Sequence, residues 1–353
     1  MPISNHLLIS AWKEVLTLSK LERGQTVTIL TGATSHPQTL ACALIATQEM
    51  GAIVNQLHLP PINGEKSLSR DGLAYLGTTP ITGNPAAIAM LKASDLVLDL
   101  MTLLFSPEQH EILSSGTKIL LAVEPPEILV RMVPTLAERT RVTAAANRIR
   151  EAKEMRVVSA AGTNLRCKLG EFPAISEYGF VDEPGRWDHW PSGFALTWPN
   201  ERTTQGTIVI DRGDILIPQK RYCSDRIVMT VKDGFVTSIE GEFEAELLND
   251  YMASFDDPEA FAISHVGWGL QPRARWSTMS LYDREATIAE DARAFEGNFL
   301  ISLGPNNEAG GTRTTACHID IPLRKCTVSL DSEDVVREGK VLDSTKDQND
   351  LRN

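Results

Sequence analysis

The hydrophobic period of this chain changes once, near residue 155, and that change limits its possible folds more than any other feature. Ahead of it, short apolar runs at 26–30, 52–59, 95–100 and 118–123 read as strands. Helical patterns fall between and after them, at 36–50, 84–93, 107–114, 125–133 and 136–155. Ser106-Pro107-Glu108 opens the third helix with a serine N-cap, a proline at the first helical position and an acid in the first turn. Each of these complements the unpaired N–H groups of a helix start. Strand and helix alternating at this spacing predict a parallel sheet with helices on its faces. From 156 onward the runs are short and alternating, at 156–160, 165–168, 207–210, 215–217, 226–231, 235–240, 297–303 and 314–330, with one helix at 242–254. Asp233-Gly234 separates two of these runs and signals a hairpin. The prediction is an α/β domain over 1–155 built on a parallel sheet. An α+β domain rich in antiparallel sheet follows over 156–353, with a frayed tail from Ser332.

Charge and composition remove several functions. The 34 basic against 46 acidic side chains give a net charge of −12 without any basic run, so a nucleic-acid partner is not expected. No apolar run approaches the roughly 18 residues of a membrane helix. Met1 to His6 carry no basic segment ahead of an apolar stretch, so no secretory signal is expected. The five cysteines are odd in number and scattered, which predicts reduced thiols and a cytoplasmic protein.

Nucleotide and hydrolase signatures are thin. Thr31-Gly32-Ala33-Thr34 sits between a strand and a helix, but it lacks the glycine spacing of a phosphate loop and reads as an ordinary turn. No GxSxG elbow is present. The segment 182–200 fits neither period and holds three of the six tryptophans, three prolines and His189. A long aromatic loop of this kind commonly lines a site.

Histidines carry more information. His6, His36, His58 and His110 have no acidic partner at metal spacing and read as helix ends and surface. His318-Ile319-Asp320 lies in an alternating run, where side chains at i and i+2 share a face about 6.6 Å apart and can reach one cation. The same pattern also describes a surface pair. His265 closes the short strand 262–264 and is followed by Val266-Gly267-Trp268-Gly269, whose glycines permit close backbone approach. Taken alone, it also reads as a core histidine. Together, His265, His318 and Asp320 form the two-imidazole, one-carboxylate set of non-haem Fe(II) oxygenases, which leaves metal positions open for substrate and dioxygen. His189 has a side chain that titrates near neutrality, which suits a general base. Arg293 and Ser302 are candidate hydrogen-bonding partners for an oxygenated substrate.

These residues resemble a known family. Glu177-Tyr178-Gly179, the run 182–193 (DEPGRWDHWPSG), the run 264–273 (SHVGWGLQPR) and the run 317–323 (CHIDIPL) are similar to 2,5-dihydroxypyridine 5,6-dioxygenases of bacterial nicotinate breakdown. Ser106 to Gln109 and the run 120–127 (LLAVEPPE) extend the likeness over nearly the whole chain. The resemblance implies a fold related to the M29 metallo-aminopeptidases, with Fe(II) on His265, His318 and Asp320. It implies His189 as the base toward a substrate hydroxyl, with Glu177, Arg293 and Ser302 holding the ring. It further implies 2,5-dihydroxypyridine and O₂ as substrates and a homo-oligomer, a hexamer in that family. A histidine is implied where this chain has Phe105, so a polar substrate contact is expected to be lost there. Two other readings stay open. One is an M29-like metallohydrolase with two metals, for which Glu201 is a candidate extra carboxylate. The other is a binding module that uses the tryptophan loop as an aromatic platform.

Overall fold

The computed structural model describes residues 3–61, 75–76, 79–104, 106–217, 219–282 and 286–342. Phe105 lies outside the described residues. The change of grammar at 155/156 divides the chain along its length, whereas the compact units divide it in space, and each is discontinuous. The first comprises Met1–Arg139, Glu177–Ser192 and Tyr282–Glu290, and the second comprises Thr140–Ser176, Gly193–Leu281 and Asp291–Asn353.

The first unit is built on the expected parallel sheet. Its five strands run in the order Trp187–His189, Lys118–Leu121, Leu96–Asp99, Thr26–Thr31, Ile53–His58. Every neighbouring pair is parallel. Leu96–Asp99 and Lys118–Leu121 are buried along their whole length, as strands covered on both faces must be. Ser106 caps the helix Pro107–Ser114 through the Gln109 amide, 3.1 Å away, as its sequence predicts. An additional helix, Asn5–Leu18, is capped by Ser4 and buries Leu8, Trp12, Val15 and Leu16.

The 182–200 segment is not a structureless loop. Trp187–His189 pairs in parallel with Lys118–Leu121 as the fifth strand, placing His189 opposite Leu121. His189 therefore lies at the carboxyl end of a parallel strand, where open α/β sheets place their ligand crevices. Phe194–Thr197 forms a strand of the second unit, antiparallel to Ile263–Gly269. Runs of three and four residues are too short to display a period, which hides them from sequence.

The second unit has two sheets. Five strands run in the order Ile319–Leu323, Phe299–Leu303, Ile263–Gly269, Phe194–Thr197, Ala174–Glu177. The eight-stranded sheet begins with Phe235–Gly241 and Ile227–Lys232, the hairpin that turns at Asp233-Gly234. Two expectations are corrected here. The run 314–330 is two strands, Ile319–Leu323 and Cys326–Leu330, with a turn at Lys325 in the left-handed region. The tail is not frayed from Ser332, because Glu333–Arg337 pairs with Cys326–Leu330 and Lys340–Val341 adds a further strand. Residues 343–353 lie outside the described residues.

Candidate metal centre and a buried histidine–carboxylate group

The second unit brings His265, His318 and Asp320 together. One ligand atom from each lies within 4.8 Å of the others, the one such group of three among the described residues. Three local features of the sheet cause this. His265 is inside the strand Ile263–Gly269 rather than at its end, and the ladder to Phe299–Leu303 shifts register between Ile263 and Val266. A bulge of this kind re-aims a side chain. Ser302 stands directly opposite Asp320 in the neighbouring ladder, so the two share a sheet face. His318 immediately precedes the strand Ile319–Leu323, while its neighbours Cys317 and Ile319 are fully buried.

The glycines beside His265 serve the backbone. A Cβ on Gly267 would lie 2.1 Å from the Ala195 carbonyl oxygen, and one on Gly269 would lie 2.2 Å from that of Phe295. Trp198 and Phe194 present ring edges toward His265, with centroids 5.8 and 6.4 Å away. These contacts fix the imidazole laterally.

The carboxylate of Asp320 is divided between two tasks. Its Oδ2 accepts a 2.6 Å hydrogen bond from Arg293 Nε. Its Oδ1 faces the Nε2 atoms of His265 and His318 at 3.5 and 3.4 Å, yet accepts no hydrogen bond among the described residues. Burying a carboxylate oxygen without a partner is costly, and a cation removes that cost. Two atoms each about 2.1 Å from one cation stand about 3.0 Å apart at a right angle and about 3.4 Å apart at the tetrahedral angle. The donor set therefore fits a divalent ion. Burial pushes the Asp320 carboxyl up, but His318, Arg293 and His265 outweigh it and hold it well below the usual carboxylate range. Burial also lowers His265 to about 4, so it offers a neutral imidazole at neutral pH.

Arg293 thus holds the carboxylate of the candidate metal site, a contact the sequence does not reveal. The buried Ser302 hydroxyl has no hydrogen-bond partner among the described residues and is available to a bound molecule. Glu201 belongs elsewhere. Its carboxylate pairs with Arg313 at 2.6 and 2.8 Å and accepts from Asn306 at 2.5 Å.

The first unit holds a separate group around His189. Nδ1 lies 2.7 Å from the Pro191 carbonyl oxygen and Nε2 lies 3.1 Å from Glu177 Oε2, with Ser192 Oγ at 3.4 Å. Glu290 approaches Nδ1 at 3.7 Å. A carbonyl and a carboxylate can only accept, so both ring nitrogens carry protons and the imidazole is cationic. Burial alone would lower His189, but Glu290, Glu177 and Asp188 outweigh it and raise the group to about 10. The sequence places this residue near neutrality because two of those acids, Glu177 and Glu290, are remote in the chain. Glu290 and Glu124 are missed in sequence, although Glu124 is an acid embedded in an apolar stretch; Glu290, next to Asp291, gives no such signal. Trp190, the residue after His189, is fully buried. It packs against Trp12 at 4.9 Å, and its Nε1 donates to the Met132 carbonyl at 3.1 Å.

Comparison with known proteins identifies the family. A family model described as 2,5-dihydroxypyridine 5,6-dioxygenase matches residues 7–343. A Pseudomonas putida (strain KT2440) protein of that name is 52% identical over 342 residues, which span 97% of this chain and 98% of its own length. The solved structure of the 2,5-dihydroxypyridine dioxygenase from Pseudomonas putida KT2440 superposes with a TM-score of 0.94 at 51% identity, covering 98% of this chain and 99% of the other. AmpT from Thermus thermophilus superposes with a TM-score of 0.60 at 14% identity over 96% of this chain and 99% of its own, a likeness of fold alone. That likeness is the one expected of an aminopeptidase-like α/β plus antiparallel architecture. No helix among the described residues is long and apolar enough to cross a membrane. Matched from residue 7 to residue 343, the chain belongs to the 2,5-dihydroxypyridine 5,6-dioxygenase family.

Proposed function

We propose that this protein opens 2,5-dihydroxypyridine between C5 and C6 with dioxygen, using one Fe(II) held by His265, His318 and Asp320. The observation that carries this reading is the buried, unpaired Asp320 Oδ1 facing two imidazoles, in a chain of this family. Two imidazole nitrogens and one carboxylate oxygen suit Fe(II) and leave positions for other ligands. Bound there, the ion supplies electron transfer between an electron-rich ring and dioxygen.

The protein's own part is binding and proton control. Arg293 keeps Asp320 Oδ1 directed at the ion by occupying Oδ2. The Ser302 hydroxyl takes a ring oxygen as hydrogen-bond partner, and Glu177 and Arg293 orient the ring. His189 acts on a substrate hydroxyl through Nε2, whose own proton first passes by way of Glu177 to solvent so that the hydroxyl proton can take its place. With the imidazole raised to about 10, that proton then rests on His189 and the ring oxygen is anionic, the state that gives up electron density most readily. Both oxygen atoms enter the product, N-formylmaleamate, and dioxygen takes up the four electrons that the ring loses on cleavage. We place the reaction in nicotinate catabolism in the cytoplasm, carried out by a homo-oligomer, a hexamer as the family resemblance implies.

Metal analysis tests the reading against a two-metal hydrolase. One iron per chain, lost on His318→Ala, supports it. Two metals per chain would overturn it.

A further inference from the structure

The segment that carries Glu290 is fastened in an unusual way. Glu124 is 1% exposed and accepts two hydrogen bonds from it, from Thr287 Oγ1 at 2.6 Å and from the Glu290 amide at 2.8 Å. The Thr287 oxygen in turn accepts from the Ala289 amide at 2.9 Å. Ala289 is fully buried with φ of 68°, a left-handed conformation that non-glycine residues rarely adopt and that persists where the surroundings dictate it. The result of this clamp is a 3% exposed carboxylate beside the ring of His189.

Asp188, the other acid nearby, is already engaged. It accepts from the Tyr178 amide at 2.9 Å, from its neighbour's amide at 2.8 Å and from Arg186 at 2.7 Å. Its work is to tie the strand Trp187–His189 to its surroundings. Glu177 engages Nε2, the nitrogen opposite the one Glu290 approaches. The ring thus has a carboxylate toward each nitrogen, Glu177 bonded to Nε2 at 3.1 Å and Glu290 at 3.7 Å from Nδ1, whose proton the Pro191 carbonyl accepts at 2.7 Å.

We propose that Glu290, locked by Glu124, is a positioning residue for His189: it holds the imidazole from the Nδ1 side and balances its charge, so that Nε2 is the nitrogen that exchanges a proton. The proposal rests on the reading of His189 as proton holder given above, and it adds Glu290 and Glu124 to the machinery. The charged groups facing the ring are Glu177, Glu290 and Asp188, the last paired with Arg186.

The test titrates His189 directly by NMR in the ¹⁵N-histidine-labelled full-length protein, alongside the pH profile of kcat/KM for 2,5-dihydroxypyridine. In the wild type both ring nitrogens stay protonated up to about pH 10. E290Q, which keeps the shape and removes the charge, lowers the midpoint by about one pH unit or more, as loss of an opposite charge within about 4 Å does. E124Q keeps one acceptor of the clamp and moves the midpoint in the same direction by less. E290D restores part of the shift. The limb of kcat/KM that reports His189 moves with the midpoint, and kcat falls more than KM rises. An unchanged midpoint in E290Q overturns the proposal. Should E290Q fail to fold, E290D decides: a lowered midpoint supports the proposal and a wild-type midpoint overturns it. Absence of oxygen uptake in the wild type would overturn the functional reading and leave the titration to decide the role of Glu290.

Discussion

Removing Asp320 tests both faces of its carboxylate at once. In Asp320→Ala the ion loses its anionic ligand, and Arg293 loses the acceptor now 2.6 Å from its Nε. Hydrogen bonds to charged groups contribute about 1.5–3 kcal/mol, and breaking a buried ion pair costs about 3–5 kcal/mol because the remaining charge is stranded. The Arg293 side chain is 19% exposed, so water softens its loss and the low end applies, about 2–3 kcal/mol in the metal-free protein. For a unit of 150–250 residues that lowers Tm by about 4–12 °C. Arg293→Met alone strands the carboxylate, whose side chain is only 6% exposed, and costs more than Asp320→Ala. The double variant strands neither charge, so its loss is smaller than the sum of the two by about 2–3 kcal/mol. Denaturant melts of the four EDTA-treated proteins measure this coupling, and iron analysis of the four proteins after reloading with Fe(II) should find the metal in wild type and absent from both Asp320 variants. Additive losses, or a metal-free Asp320→Ala protein as stable as wild type, would refute the divided carboxylate.

His189→Ala should keep its iron and lose about 10²- to 10⁴-fold in rate, with the deficit shrinking as pH rises and solvent ionises the substrate hydroxyl; loss of iron would show that His189 belongs to the metal set. The same histidine sets a stability trend. Its folded value is raised to about 10 from 6.5, so its contribution is complete below pH 6.5 and disappears as pH rises through 10. Urea melts at pH 7 and pH 10 should therefore show a larger fall for wild type than for His189→Gln, and equal falls would contradict the buried cation. Gly267→Ala places a methyl 2.1 Å from the Ala195 carbonyl oxygen, so strands must part beside His265. We expect a loss of about 1–3 kcal/mol in thermal or urea melts together with weakened iron binding. Unchanged iron affinity would show that the bulge, not the close strand contact, aims the histidine.

The sequence discloses what repeats and conceals what converges. Apolar runs and the Ser106-Pro107-Glu108 start predict the parallel sheet and its helix because their causes are local. The HxD spacing and the glycines after His265 point to the ligand set for the same reason. The strand Trp187–His189 has no period to read and is built by pairing with Lys118–Leu121, far away in the chain. The bulge that turns His265 depends on its partner strand. The bond from Arg293 to Asp320 joins residues 27 apart and cannot be read from the sequence, and the charge of His189 follows from acids 12 and 101 residues away, at Glu177 and Glu290. Long-range electrostatics of this kind leaves no local trace.

Oxygen consumption tests the central claim most directly. Protein loaded anaerobically with Fe(II) is mixed with 2,5-dihydroxypyridine and air-saturated buffer, and oxygen uptake is followed with ring absorbance. The account predicts one O₂ consumed per ring lost, both atoms of ¹⁸O₂ recovered in the opened product, and no uptake by the His318→Ala protein. Ring loss without oxygen uptake, or uptake undiminished in His318→Ala, would contradict it.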